Sequence, residues 1–141
     1  MSKASRRDQR ELSFVLLFEQ AVTGEDMELI IDNARESRDV VLGTFAEELV
    51  KGATENSARI DEVISENIRG WSMSRLSKVA VSILRVSVFE LMYDAEIPVS
   101  VSINEAVELA KKYGGKDDSS YINGVLSSIA KSDNICKKNN E

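Results

Sequence analysis

The chain has 141 residues, a formal net charge of -6 at pH 7 and 43% hydrophobic residues, which indicates one domain with a sizeable core. It contains no histidine and one cysteine, so a histidine general base, a histidine metal site and an intramolecular disulfide are excluded. No apolar stretch is long enough for a signal peptide core or a bilayer span, so we expect a cytoplasmic protein with no membrane association.

The charge is distributed unevenly along the chain. Residues 1–10 carry four cations and one anion, whereas residues 11–70 carry five cations and fourteen anions. A basic arm therefore precedes a strongly acidic half. The arm is suited to binding a polyanion, and the acidic half is suited either to a basic partner protein or to solubility alone.

The first predicted helix starts in the basic arm. Ser5 and Asp8 have the spacing of a capping box, although a mobile arm followed by a later helix start stays open. The same helical face continues with apolar residues from Phe14 until the sequence TGED at 23–26 ends the helix. We therefore expect this face to change from core packing to phosphate contact where the helix projects into solvent. The arm alternatively carries solubilising charge only. Four cations share the face: Lys3, Arg6, Arg7 and Arg10.

Helical patterns continue through the middle of the chain. Residues 27–34 form a short apolar segment, and a longer helix is predicted from near Asp39. A further apolar stripe runs from Ile60 to Ile68 and ends at Gly70–Trp71. The segment 74–94 is apolar on both sides of a helix, which predicts a central position in the fold.

A predicted helix follows the only proline. The sequence 102–105, Ser-Ile-Asn-Glu, has the pattern of a capping box, so we expect a helix to begin there and to stop at Gly114–Gly115. Glu108 and Lys112 are spaced to pair on its surface.

The last predicted helix follows the sequence KDDSS at 116–120. Its core stripe ends before Lys131, and the residues beyond are polar. The whole chain is therefore predicted to be all-α. We expect one helical domain over 1–132, including the basic arm 1–10, and a disordered polar tail over 133–141.

The chemistry of an enzyme is missing from the sequence. No glycine-rich phosphate loop is present, and the adjacent acids Glu47–Glu48 and Asp117–Asp118 are typical of a solvated face. Cys136 lies in the polar tail without a histidine to activate it. We therefore expect no catalytic residue, no metal and no cofactor.

Four stretches carry a resemblance to a known family. They are RRDQRELSFVLLFE (6–19), RLSKVAVSILRVSVFEL (75–91), IPVSVSINEAVELAKKYG (97–114) and YINGVLSSIAK (121–131). The chain resembles the NusB family of bacterial transcription antitermination and termination factors. The likeness covers nearly the whole chain.

The resemblance implies a fold and a function. The fold is an all-helical protein of about seven helices in two small helical subdomains. The function is non-catalytic: the family binds the boxA element of ribosomal RNA leader transcripts together with NusE, a protein of the small ribosomal subunit. The two proteins join the RNA polymerase antitermination complex.

The resemblance also implies which residues contact RNA. In the family they belong to the arginine-rich start and to the beginning of the last helix, and this chain departs from the pattern at Asp8, Gln9 and Ser120. Tyr121 lies at the edge of its helix, where it either stacks on a base or packs the helix end. Phe18 either meets the partner protein or packs in the core. The expected RNA contacts are Lys3 from its place in the stripe, and Arg6, Arg7, Arg10, Asp117 and Tyr121 from the resemblance.

Two other functional classes stay open. One is a helical protein–protein adaptor without an RNA role. The other is a stand-alone relative of the RNA-binding domain of a cytosine-specific RNA methyltransferase, an enzyme that needs a further catalytic domain. The sequence also leaves open whether the free protein is a monomer or a homodimer that covers its basic arm.

Overall fold

The structure is a computed structural model that describes residues 5–37, 41–68 and 72–136. Within these ranges the chain forms helices and no strand, which confirms the all-α prediction. No helix there is long and apolar enough to cross a membrane. The seven α-helices and one 3-10 turn of these ranges are α1 (Arg6–Thr23), α2 (Met27–Ser37), α3 (Thr44–Glu55), α4 (Ser57–Glu66), the turn Met73–Arg75, α5 (Lys78–Tyr93), α6 (Val99–Tyr113) and α7 (Asp118–Ala130).

Both ends of α1 have the residues that the sequence predicted. The Ser5 hydroxyl accepts a hydrogen bond from the Asp8 N–H at 3.0 Å, and the Asp8 carboxylate accepts one from the Ser5 N–H. This capping box satisfies two backbone donors at the start of the helix. Gly24 ends α1 with φ at 73°, a left-handed conformation that glycine adopts without a steric penalty.

Helix α5 is the central element of the fold. It contacts α1, α3, α4, α6 and α7, and it buries side chains around most of its circumference. A helix that is apolar on all sides must be covered on all sides. The predicted central position of this segment is therefore confirmed.

The helices form two groups that share one core. Helices α1–α3 pack on one another, as do α4–α7, and α5 joins the groups by packing on both α1 and α3. Buried apolar residues from all seven helices form a single cluster. The two helical subdomains implied by the resemblance are thus parts of one continuous interior.

Two predicted helix starts are wrong. Helix α6 begins at Val99 directly after Pro98, so Ser102 lies one turn inside the helix instead of capping it. Pro98 is the N-cap residue, and its carbonyl accepts hydrogen bonds from the Val101 and Ser102 N–H groups, so α6 starts directly after the proline. Helix α3 begins at Thr44 instead of near Asp39. Asp39 and the predicted stop Gly70–Trp71 lie outside the described residues.

The first residues of the polar tail, 133–136, lie within the described part of the chain and contact the helices. The Cys136 N–H donates to the Leu91 carbonyl at 3.0 Å, and the Asn134 side chain accepts a hydrogen bond from Arg59. Ile135 packs against the core. These two hydrogen bonds and one apolar side chain hold the segment against the helices. Residues 137–141 lie outside the described part of the chain.

Candidate nucleic-acid interface

The predicted cationic stripe divides into residues with different environments. Arg6 and Arg7 are exposed in the first turn of α1, whereas Arg10 is buried at 3% exposure. Lys3 lies outside the described residues. The expectation that all the cations of the stripe face solvent is therefore wrong for Arg10. The reason is that Arg10 lies one turn further along the helix, where α5 already covers α1.

Arg10 is the centre of a buried polar cluster. Its Nε lies 2.6 Å from Oε2 of Glu90 on α5, and the exposures of the two side chains are 4% and 1%. The Ser102 hydroxyl donates to the other oxygen of Glu90 at 2.8 Å. A second carboxylate, Glu105 on α6, lies 3.6 Å from Arg10 Nη1. The cluster therefore joins α1, α5 and α6 through charge-assisted contacts in the interior.

Arg7 forms a two-pronged ion pair with Glu105. Its Nε and Nη2 donate to the two carboxylate oxygens at 3.0 and 2.7 Å. The hydrogen bond from Arg7 holds the pKa of Glu105 below its usual value, and the same contact raises the pKa of Arg7. The Arg7 side chain is nevertheless 67% exposed, so the pair lies at the surface.

Arg6 points to the other side of α1. Its guanidinium lies 4.6 Å from the centroid of the Phe45 ring on α3, a distance typical of a cation–π contact. Arg10 lies over the same ring at 5.4 Å. The Phe45 ring therefore contacts two of the arginines that are predicted to bind RNA.

A groove of about 360 Å³ runs between α1 and α6. Lys112 on one wall lies 2.6 Å from Glu11 on the other, and the Tyr113 hydroxyl also donates to Glu11. Lys111 lies 3.5 Å from Glu108. The predicted pairing of Glu108 with Lys112 is therefore wrong, because α1 offers Lys112 a carboxylate across the groove. The groove is lined by one apolar residue, Leu109, and by side chains of both charges, which are Arg7, Arg10, Glu11, Glu105, Glu108, Lys111 and Lys112.

Asp117 and Tyr121 lie together in another hollow. It has a volume of about 410 Å³ and lies where the start of α7 meets the start of α5, with Arg75 on its rim. The structure thus brings these two predicted residues to one place, and the arginines of α1 do not line it. Tyr121 is half-buried against the core, and this burial raises the pKa of its hydroxyl. Asp117 is exposed and precedes the first residue of α7.

Phe18 is partly buried on α1. Its ring packs against the core, with its centroid 6.2 Å from that of Phe14. The Phe14 ring also contacts Tyr113, at 4.9 Å. Phe18 thus packs against the core with part of its side chain exposed. Its contact with a partner protein stays a prediction.

Sequence reasoning missed the acids that organise this region. Glu90 lies in the helix that is apolar on all sides, and a carboxylate there is a signal for a buried cation, since unpaired charge is costly to bury. Glu105 was interpreted as part of a capping box. Arg75 was missed because it lies in a short 3-10 turn without a charge pattern.

Comparison with known proteins gives consistent matches. Residues 7–131 match the sequence model of the NusB family. A transcription antitermination protein NusB of Clostridium botulinum (strain Kyoto / Type A2) is 40% identical over 138 residues, which is 86% of this chain and 96% of the relative. The protein of the same description from Geotalea daltonii is 42% identical over 139 residues, covering 92% of this chain and 96% of the relative.

Solved structures are similar over most of their length. A T. maritima NusB structure has a TM-score of 0.85 and 36% identity, and the match covers 94% of this chain and 95% of that chain. A crystal structure of the antitermination factors NusB and NusE in complex with dsRNA has a TM-score of 0.77 and 25% identity. The second match covers 88% of this chain and 94% of that chain.

Proposed function

The chain belongs to the NusB family, and from this premise we propose that it is an RNA-binding transcription antitermination factor that works with the ribosomal protein NusE. It acts by binding, without catalysis, in the cytoplasm and within the RNA polymerase antitermination complex. Its RNA target is the boxA element of ribosomal RNA leader transcripts.

The observation that carries this proposal is the extent of the family match. Residues 7–131 run from the first turn of α1 to the end of α7, so they include Arg7 and the start of α7, whereas Lys3 and Arg6 precede the match. A relative of similar fold binds NusE and dsRNA. Such coverage supports transfer of the function of the whole domain.

Arg6 and Arg7 are the proposed phosphate contacts of α1. Both are exposed in its first turn and bear charges that can neutralise backbone phosphates. Lys3 would extend this surface from the arm that precedes the helix. Arg10 is proposed as a positioning residue instead of an RNA contact, because its guanidinium is enclosed between α1 and Glu90.

Tyr121 and Asp117 are the proposed base-recognition residues. The half-buried Tyr121 ring offers a face for stacking, and Asp117 offers an acceptor for a base amino group. Unstacked bases of a single strand are accessible to such contacts, whereas those within a duplex are not.

The acidic half of the chain is the proposed partner surface. A protein with a net charge of -6 repels RNA at long range, and a basic ribosomal protein docked on it would lower that repulsion. Phe18 is proposed to provide an apolar contact for this partner. Binding of RNA and partner should therefore be cooperative.

Fluorescence anisotropy with labelled boxA RNA and a scrambled RNA of the same composition tests the proposal. We expect weak binding by the protein alone and tighter, boxA-selective binding when NusE is present. Linkage requires that RNA tighten the binding of NusE by the same factor. Equal RNA affinities with and without NusE would contradict cooperative assembly. Absence of RNA binding in both cases would leave the adaptor function.

A further inference from the structure

The proposed phosphate contact Arg7 is already occupied by a carboxylate of its own chain. Glu105 accepts from both Nε and Nη2 of Arg7, which is the edge of a guanidinium that forms paired hydrogen bonds with carboxylate and phosphate alike. A phosphate that binds this edge must displace Glu105.

The surrounding charges reinforce this arrangement. Glu90 lies against Arg10, and Glu105 lies against both Arg7 and Arg10. Two arginines therefore face two carboxylates, and this cluster has a formal charge of zero. Neutralised arginines attract a polyanion less than free ones do, because less counterion release accompanies binding.

We propose that Glu105 is an intramolecular competitor that occupies Arg7 in the free protein and must release it before Arg7 can bind an RNA phosphate. This inference rests on the proposed RNA-binding function. In this proposal Glu105 lowers RNA affinity. Only RNA chains that make enough further contacts with the protein can then displace Glu105 from Arg7.

The exposure of the pair makes release feasible. The Arg7 side chain is 67% exposed, so its guanidinium can swing outward without unpacking the core, whereas Glu105, at 15% exposure, stays on α6 beside Arg10. Exposed ion pairs are weak, so competition by Glu105 should reduce RNA affinity by up to about fivefold.

A double-mutant cycle tests the competition. RNA affinity is measured by anisotropy, with boxA RNA and NusE, for the wild type, Glu105→Gln, Arg7→Ala and the double variant. We expect Glu105→Gln to tighten RNA binding by two- to fivefold at low salt in the wild-type background. In the Arg7→Ala background it should have almost no effect, since the residue that Glu105 occupies is absent.

Two further variants separate release of Arg7 from a general gain of positive charge. Glu62→Gln removes the same charge from an Arg–Glu pair on α4, away from the proposed contacts, and should change affinity much less. Glu105→Asp keeps the charge but shortens the side chain, so it should also tighten RNA binding. Thermal unfolding of each variant verifies that it is folded at the temperature of the assay.

The outcomes distinguish the competition from the function on which it rests. If the wild type binds no RNA, or if Arg7→Ala leaves affinity unchanged, the proposed contact fails and the competition fails with it. Suppose that Arg7→Ala weakens RNA binding. The competition alone is then overturned if Glu105→Gln changes RNA affinity no more than Glu62→Gln does, or if it has the same effect in the wild type and in Arg7→Ala. Weaker binding by Glu105→Gln would overturn it too and would make Glu105 a residue that pre-positions Arg7.

Discussion

Arg10 of α1 and Glu90 of α5 form an ion pair inside the protein. Their closest atoms are 2.6 Å apart, and 4% and 1% of the two side chains are exposed. Glu90 receives a further hydrogen bond from Ser102 of α6, so one carboxylate links three helices. Removing one partner of a buried ion pair costs more than the intact pair contributes, since the other charge stays in the interior without it.

Arg10→Ala should therefore destabilise the protein strongly. We expect a loss of about 3–5 kcal/mol in the free energy of unfolding, because the buried Glu90 carboxylate then loses its ion-pair partner. Urea denaturation measures this loss. Arg59→Ala removes an arginine from an exposed pair with Glu62 and should cost less than about 1 kcal/mol. Similar losses for both variants would contradict the buried position of Arg10.

The exposed arginines should instead affect RNA binding. Replacing Arg6 and Arg7 together by Ala should weaken boxA and scrambled RNA alike. If each contacts one phosphate of a single strand, the slope of log affinity against log salt should fall by roughly 1.4 units. The variant with Arg35 and Arg59 replaced by Ala has the same net charge and serves as the control. Equal slopes for the two double variants would argue against direct contact by Arg6 and Arg7.

Tyr121 should contribute a ring face to RNA and apolar volume to the core. Tyr121→Phe keeps both and should bind RNA nearly as well as the wild type. Tyr121→Leu keeps much of the volume without the ring, and we expect RNA binding to lose about 1–3 kcal/mol. Anisotropy titrations and thermal unfolding of the same samples separate the two effects. If Tyr121→Leu loses stability but retains full RNA affinity, the ring has a packing role only.

Two helical glycines should respond oppositely to alanine. At Gly52 a Cβ would lie 2.5 Å from the Phe89 ring, so Gly52→Ala must move a ring that packs on α3 and should be destabilising. At Gly124 in α7 a Cβ meets nothing within 4 Å among the described residues, so Gly124→Ala should stabilise by up to about 1 kcal/mol. Urea denaturation compares the two variants. A stable Gly52→Ala would mean that Phe89 has room to rotate away.

Acid should weaken the contacts across the α1–α6 groove. The hydrogen bond from Lys112 lowers the pKa of Glu11, and the hydrogen bond from Arg7 lowers that of Glu105. Since both values are lower in the folded state, the stabilisation is fully present above the ordinary glutamate pKa of about 4.3. It is lost as the pH falls through the lowered values. Urea denaturation measures the free energy of unfolding between pH 7 and pH 3. This free energy should fall less steeply with decreasing pH in the variant with both residues changed to Gln than in the wild type. An identical fall in the two proteins would contradict these pairs.

Local patterns in the sequence identified most of the fold. The capping residues of α1, the glycine that ends it and the apolar circumference of α5 each depend on neighbours within one or two turns. The predicted start of α6 is wrong because the spacing of Ser102 and Glu105 is equally compatible with a capping box and with a turn inside a helix. Their actual partners, Glu90 and Arg7, are distant in sequence and close only in the folded chain.

The same distinction applies to the candidate interface. The helical spacing predicted one face for Arg6, Arg7 and Arg10, but it carried no information on how far α5 extends along α1. Whether an arginine meets water or Glu90 depends on that tertiary contact. Glu108 was similarly predicted to pair with Lys112 on its own helix, although Lys112 reaches across to Glu11 of α1.

The position of α5 has a consequence for how the domain folds. Because α1, α3, α4, α6 and α7 all cover it, neither group of helices can bury its apolar surface before α5 is in place. The two groups should therefore gain and lose structure in one cooperative transition. A fragment that ends before residue 78 would expose the surfaces of α1 and α3 that α5 covers and would tend to aggregate. Integrity of the arginine surface at one end of the sequence thus depends on a helix formed much later during synthesis.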